Sequence, residues 1–322
     1  MSLPRSGTAS LLIALLAVAG AEAQVLGIGI TKGGANPAIG SAIASIVSRH
    51  TDMRMRTQAF SSGTRYAPLM DIGEVEFGVG NLSQFALLMQ GKFTPNDRPK
   101  PNMRLVASLM PFRGGFLVKE SSDIRSFADL KGRRVAAGFP GQPLASGVHK
   151  AFLANGGLTY EDVVPVPATT MRSHWELFKE GRIDGVMVVV GSGVVKEIRA
   201  TLGEELRYLS MDNSAESLVK LRDALPGAYF VTIGPNPNLD GAAKQFATLA
   251  YDYGLWSGAD VLDDTVYRVV KALHQNSDEF RSVGPLMRLY DAEGISRPQV
   301  VPYHPGALSY FKEAGLPLVR IN

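Results

Sequence analysis

Cysteine is absent from this chain, and so are long apolar runs. Without cysteine the protein has no disulfide framework, no thiol nucleophile and no lipoprotein anchor, so its apolar core alone must hold the fold. The apolar run Leu11–Ala19 is too short for a bilayer span of about 20 residues, and no later stretch is long enough. The sequence therefore excludes a disulfide scaffold and predicts a mature protein without membrane spans.

Signatures of enzymes and metal sites are missing as well. The 5 histidines show neither the H-E-x-x-H pattern nor a Cys/His ligand spacing. No serine lies in a G-x-S-x-G turn, and the Gly33-Gly34 loop lacks both the Lys-Ser/Thr pair of a P-loop and the G-x-G-x-x-G spacing. We therefore predict no catalytic residue, no metal and no cofactor.

Composition describes a globular protein with a slight positive surplus. Apolar residues make up 45% of the chain, charged residues 20%, and the formal net charge is +3. That surplus slightly favours a small anionic ligand. Nucleic acid is not predicted as a partner, because basic clusters interleaved with aromatic residues are missing.

The amino terminus has the pattern of a secretory signal peptide. Arg5 precedes the apolar run Leu11–Ala19, and the small-residue site Ala21-Glu22-Ala23 follows it. We expect cleavage after Ala23 and export to the periplasm. Removal of residues 1–23 leaves about 300 residues, which exceeds what one core usually serves and predicts two lobes.

Residues 25–49 predict a strand, a glycine loop and a helix. Val25–Ile30 is rich in β-formers, the Gly33-Gly34 loop follows, and Asn36-Pro37 is typical of a helix start in which the Asn side chain caps free N–H groups. A helix amino terminus beside such a loop offers backbone donors and partial positive charge. An anion, such as a carboxylate, fits there.

Two similar turns follow. Ser61-Ser62-Gly63 comes after a strand over 53–60, and Asn81 with Ser83 as a helix cap comes after a third strand over 75–79. Pro68 is expected in the first turn of the intervening helix. In a parallel sheet these turns lie together at the carboxyl ends of the strands, where ligands bind.

The second half repeats this logic. A strand over 105–110 is followed over 115–118 by another strand or by its continuation. This predicts a crossing into a second lobe near Leu117, and we expect the return near Lys244. The predicted lobes are 24–116 plus 245–322 and 117–244. Arg65 and Arg113 lie near predicted interlobe turns, where either guanidinium fits a carboxylate and a surface role is the alternative. The predicted ligand-binding residues are Gly33, Gly34, Asn36, Ser61, Ser62, Gly63, Arg65, Asn81, Ser83, Arg113, Phe139, Gln142, Gly191 and Ser192.

Several segments together resemble the TAXI family, the extracytoplasmic solute receptors of TRAP transporters. The matching segments occur in the family's order along nearly the whole mature chain. They are Gly33-Gly34 with Gly40, Gln58-Ala59, Gly73–Glu76, Asp129–Val135, Gly138–Gly141, Gly181–Asp184 and His304–Ala307.

The resemblance implies an α/β, two-lobed periplasmic-binding-protein fold of type II, each lobe a mixed sheet flanked by helices, with the ligand cleft between the lobes. It implies capture of a small organic acid or amino acid and delivery to an integral membrane TRAP transporter subunit. Rival readings are a ligand sensor for a signalling receptor, the binding component of an ATP-driven importer, and an enzyme that turns over a bound acid.

The chain departs from the family in three predicted ligand loops. Asn36-Pro37 replaces a usual Tyr-Tyr pair, Ser61-Ser62-Gly63 replaces Gly-Gly-Ser, and residues 142–144 (Gln-Pro-Leu) replace Ser-Gly-Thr. The resemblance therefore supports the fold more strongly than it supports any particular ligand.

Overall fold

The computed structural model describes residues 24–32, 34–94, 96–140 and 142–317. The predicted signal peptide, Gly33 and Gly141 lie outside the described residues. Within the described ranges, no helix is both long and apolar enough to cross a membrane.

The chain begins with three strand-helix units. Their elements are β1 (Val25–Thr31), α1 (Asn36–His50), β2 (Arg54–Phe60), α2 (Gly63–Asp71), β3 (Phe77–Asn81) and α3 (Leu82–Met89). β1 pairs in parallel with β2 along its length and with β3 on its other side. Gly29 of β1 is needed for packing, because a Cβ there would lie 2.7 Å from the Tyr66 ring.

A single long strand, β4 (Met103–Lys119), then runs through both predicted segments, so 115–118 is the continuation of the strand over 105–110. The second lobe follows it. Its elements are β5 (Arg134–Gly138), α4 (Pro143–Asn155), β6 (Val164–Ala168), α5 (Met171–Lys179), β7 (Val186–Val189), α6 (Gly193–Leu202), β8 (Leu206–Tyr208), α7 (Ala215–Ala224) and β9 (Tyr229–Ile233).

The chain returns along β10 (Phe246–Gly258), which is buried throughout. The closing helices are α8 (Asp263–Gln275), α9 (Ser277–Ser282) and α10 (Pro305–Glu313). β10 and β4 run antiparallel over most of their lengths. One half of β10 also pairs with β3 and the other half with β9, so β4 and β10 pass through both lobes.

The apolar cores divide where these two strands cross. One cluster draws its buried members from Phe116 to Tyr251. The other two draw theirs from the segments before Phe112 and after Asp252. The two-lobed α/β fold is thus confirmed, while the boundaries at 116/117 and 244/245 stay a prediction.

Three local predictions were wrong. Pro68 is the sixth residue of α2, not part of its first turn; the helix still continues to Asp71. Asn36 does not cap α1, because the cap position is Ala35 and Asn36 is already helical and buried. Ser83 lies inside α3, where Asn81 holds the cap position, because β3 runs directly into the helix.

Candidate functional site

The carboxyl ends of β1, β2 and β3 form one edge of the first lobe. Thr31 is aligned with Phe60, and the pairing of Ile28 with Phe77 brings Gly80 level with Thr31. We call the turns at this edge the lobe I edge. It comprises residues 31, 32, 34–36, 60–63 and 81–83.

A corresponding lobe II edge lies at the ends of β5, β6 and β7. β5 and β6 are parallel, and Val190 N donates to the carbonyl of Arg113 on β4 at 2.9 Å. The lobe II edge comprises Arg113 and residues 138–140, 142, 168–170 and 190–192.

The two edges approach each other along β10. Tyr253 of β10 is aligned with Asn81 of the lobe I edge, and Ala250 is aligned with both Arg113 and Tyr229. Because β3 and β4 flank β10 on opposite sides, Asn81 and Arg113 are offset by three residues along β10, about 10 Å, and by two strand spacings of about 4.8 Å across it. The register of β10 therefore brings Asn81 and Arg113, both predicted site residues, to the same crossing.

Five helices begin at these edges without a side-chain cap. α1, α2, α3, α4 and α6 show no capping hydrogen bond, although Ser62, Asn81 and Ser192 occupy cap positions and are good capping residue types. Thr170 caps α5, which also begins at the lobe II edge, and Ser214 caps α7; α8 and α9, away from the edges, have no side-chain cap either. First-turn N–H groups at both edges are thus left for another acceptor, and the helix dipoles favour an anionic one.

Four of the 15 buried polar side-chain atoms that lack a partner among the described residues lie at these edges. Among the described residues, Asn81 Oδ1, Ser83 Oγ, Arg113 Nε and Ser192 Oγ are buried and make no hydrogen bond. Such an atom costs about 1–3 kcal/mol while it has no partner. A ligand or water in contact with these atoms would relieve that cost.

The charge at the edges is positive. Arg113, Arg65 and Lys32 appear in no ion pair within the described ranges, although the chain forms many elsewhere. Arg113 is half-buried, whereas Arg65 and Lys32 are exposed. Lys32 was missed by sequence reasoning. Its position directly after an apolar strand was the available signal.

Three of the predicted neutral donors are already engaged in shaping the edges. Asn36 Nδ2 donates to the carbonyl of Val79 at 2.9 Å, which ties α1 to β3. Gln142 Oε1 accepts from the N–H of Met171 at 2.7 Å. Ser62 and Thr64 share a hydroxyl hydrogen bond of 2.6 Å. These three side chains therefore hold the loops in place.

The remaining predicted residues are spread over both edges. Ser61 is exposed and Gly63 is buried against Phe85. Gly34 and Gly191 adopt left-handed backbone, with φ of 75° and 78°. Phe139 differs because its ring is fully buried in the second lobe, with its centroid 4.9 Å from the His149 ring. Its side chain belongs to the core rather than to the cleft.

A buried carboxylate at the crossing was not foreseen. Asp252 of β10 is fully buried, and its Oδ2 accepts from Ser108 Oγ at 2.7 Å, Arg297 Nη1 at 3.0 Å and Gln299 Nε2 at 3.2 Å. Its Oδ1 accepts from Tyr229 OH at 2.7 Å. Burial first, and Asp252 next, raise the pKa of Tyr229, so its hydroxyl stays a donor. In the sequence, Asp252 could have been recognised as a single acid within an otherwise largely apolar strand.

Two surface cavities lie elsewhere on the second lobe. Their volumes are about 210 and 280 Å³, and they lie beside Arg134 and Arg199 at the end of the lobe away from the crossing. Those cations are already paired with Asp184 and Glu205. The interlobe crossing, with unpaired cations and uncapped helices, is the better candidate site.

Comparison with known proteins agrees with this architecture. The model of the NMT1-like family matches residues 30–315. A TctC solute binding protein from Polaromonas is 13% identical with a TM-score of 0.55, covering 92% of this chain and 99% of its own. A sulfonate-binding protein from Methylobacillus flagellatus is 14% identical with a TM-score of 0.50, covering 94% and 90%. A Xanthomonas citri protein bound to chloride ion is 11% identical with a TM-score of 0.52, covering 91% and 97%.

At these identities the solved structures establish the fold alone. The chain has the two-lobed fold of periplasmic solute-binding proteins, as the sequence predicts. The narrower assignment to the TAXI receptors stays a prediction.

Proposed function

The chain belongs to the NMT1-like family, and we propose that it is an extracytoplasmic receptor that binds a small organic anion between its lobes. The observation that carries this proposal is the coincidence, at one crossing, of uncapped helix starts with a half-buried arginine. Arg113 makes no ion pair among the described residues, and its Nε lacks a partner. An anion satisfies both features at once.

Each lobe would contribute different contacts to the ligand. The lobe I edge offers Asn81, Ser83 and the first-turn N–H groups of α2 and α3, with Lys32 and Arg65 as outer cations. The lobe II edge offers Arg113, Ser192 and the start of α6. A ligand held by both edges binds the closed arrangement better than the open one, which is the condition for ligand-driven closure.

A carboxylate is the first class to test. The names of two structural neighbours also point to anions, since one is described as sulfonate-binding and another as bound to chloride. Sulfonate and carboxylate groups both present acceptor oxygens that the N–H groups of a guanidinium can bind in pairs. A screen should therefore contain both classes.

Release to a membrane transporter completes the proposed role. The TAXI resemblance favours an ion-driven TRAP partner, whereas the Methylobacillus neighbour is described as part of a sulfonate ABC transporter, which favours an ATP-driven importer as the second candidate. Uptake of the identified ligand by cells in which each type of neighbouring transporter gene is deleted distinguishes the two.

The ligand is found by combining two measurements. Native mass spectrometry of mildly purified protein identifies retained molecules and any chemical change in them. A thermal-shift screen of carboxylates, sulfonates and amino acids then ranks the classes, because a ligand at about 100 times its dissociation constant adds about 2.7 kcal/mol of stability. Stabilisation by cationic compounds alone would contradict the proposal.

The arginine is tested with matched variants. A hydrogen bond to a charged group is worth about 1.5–3 kcal/mol, so Arg113→Gln should weaken binding roughly 10- to 150-fold. Arg65→Gln tests the exposed cation of the opposite edge. Arg54→Gln is the control, because Arg54 is exposed at the other end of β2, aligned with Val25. Normal binding by both Arg113→Gln and Arg65→Gln would rule out the arginine contact.

A further inference from the structure

The two crossing strands carry a local irregularity where the lobes meet. Asp252 of β10 is aligned with Pro111 of β4, and Gly254 is aligned with Ser108. The single residue Tyr253 therefore faces two residues, Leu109 and Met110, which is a β-bulge in β4. Bulges bend and twist a strand pair, and proline removes one ladder hydrogen bond. The β4–β10 ladder is thus interrupted at the crossing, and a second interruption follows between Leu255 and Trp256.

The buried carboxylate of Asp252 lies at this bulge and joins groups from both sides of it. Ser108, Arg297 and Gln299 donate to Oδ2, and all three belong to the first lobe or its closing segment. Oδ1 accepts from Tyr229, the first residue of β9 in the second lobe. Because β9 pairs with β10 through Ala250, Tyr229 moves with the second lobe.

We propose that Asp252 and Tyr229 form an interlobe clamp that fixes the angle between the lobes and so regulates the binding site proposed above. Rotation at the bulge changes the distance between Tyr229 and the Oδ2 partners of Asp252. Asp252 lies on the same side of the bulge as Tyr229, because the register from Leu249 to Asp252 is unbroken, whereas Ser108 lies beyond the bulge. While Tyr229 holds Oδ1, a rotation at the bulge therefore moves the first-lobe donors away from Oδ2, and a fully buried carboxylate oxygen without donors is costly. The clamp favours the arrangement of lobes in which both oxygens of Asp252 keep their donors.

A second contact on the same side supports this role. Gly227, two residues before Tyr229, has a φ of 76°, and a Cβ there would lie 2.2 Å from Leu82 Cδ2 and 3.3 Å from Val300 Cγ2. The loop that carries Tyr229 thus already touches the first lobe at the start of α3. The loop that carries one half of the clamp is therefore in contact with the lobe I edge.

The test measures the interlobe distance without any ligand, so it does not depend on the ligand class being right. Because the sequence has no cysteine, Ser41→Cys on α1 and Ala200→Cys on α6 give two exposed, unique labelling sites, one on each lobe. Spin labels at these sites report the distance distribution by pulsed electron resonance.

Tyr229→Phe removes only the hydroxyl that reaches Asp252. We expect the population with interlobe distances outside the wild-type range to rise at least roughly tenfold, since the lost bond is to a charged group. Tyr310→Phe is the matched control, because its hydroxyl bonds His274 Nδ1 at 2.7 Å entirely within the first lobe. Its distribution should superimpose on that of the wild type.

Asp252→Asn provides a second variant, since it keeps the side-chain volume and removes the charge that the four donors share. It should shift the distribution in the same direction as Tyr229→Phe. An unchanged distribution in Tyr229→Phe, or an equal shift in Tyr310→Phe, would overturn the clamp. Neither result bears on whether an anion binds, which the thermal-shift screen decides separately.

Discussion

Acid should destabilise the second lobe because it contains a buried, neutral histidine pair. His149 and His174 are fully buried, with ring centroids 4.8 Å apart, and neither nitrogen of His149 has a hydrogen-bond partner in the described part of the chain. Burial lowers the pKa of His149 from 6.5 to about 3. Burial first, and the neighbouring His149 next, hold the pKa of His174 well below its usual value.

The direction of the pH dependence follows from these two shifts. The folded pKa is below the unfolded one, so the unfolded chain binds more protons and stability is lost as the pH falls below 6.5. A pH of 5 is 1.5 units below the pKa of His149 in the unfolded chain, so that imidazole is mostly protonated there, while the folded one is still neutral. At about 1.36 kcal/mol per unit, His149 alone lowers the free energy of unfolding by about 2 kcal/mol.

Urea unfolding at pH 7.5 and pH 5.0 measures this loss, followed by the fluorescence of Trp175 in the second lobe and Trp256 in the first. His149→Leu should reduce the difference between the two pH values by about 2 kcal/mol. Val195→Ala is the control, because Val195 is a buried, non-titratable side chain of the same core, so its loss should lower the free energy of unfolding equally at both pH values. A full pH loss in His149→Leu would refute the assignment to this residue.

Two further predictions concern single atoms. Ser192→Ala removes a buried hydroxyl oxygen that has no partner, so it should leave the unfolding free energy unchanged or raise it by up to about 1 kcal/mol; calorimetry with and without the identified ligand should show weaker binding at the same time, and equal affinity would remove Ser192 from the site. Gly29→Ala places a Cβ 2.7 Å from the Tyr66 ring, which should cost about 1–3 kcal/mol in chemical unfolding, and an unchanged midpoint would show that the ring can shift freely.

Local pattern was sufficient for the elements that begin each lobe. The buried face of α1 follows from helical spacing, because residues three or four positions apart lie on the same side of a helix. It is formed by Ile39, Ile43, Ile46 and Val47. The glycine and serine turns likewise mark strand ends, because few other residues adopt those backbone angles or cap a helix. The two-lobed α/β architecture was therefore accessible from the sequence.

Several side-chain roles were decided only by tertiary contacts. Asn36 is a good capping residue by type, yet its amide bonds Val79 across 43 positions of sequence. Phe139 lies in a glycine-rich loop, yet its ring packs in the core of the second lobe. Local sequence cannot predict whether a side chain contacts a group nearby in the chain or one far away, when both contacts would satisfy it equally well.

The sequence by itself determined that the chain folds on its apolar core as two α/β lobes with polar turns at the strand ends, since periodicity and turn chemistry are local properties. Only the tertiary structure decided that Asn81 and Arg113 approach each other along β10, and that Asp252 joins donors from both sides of the crossing. Those relations depend on strand register and on a bulge between residues about 140 positions apart, and no local pattern encodes such a pairing.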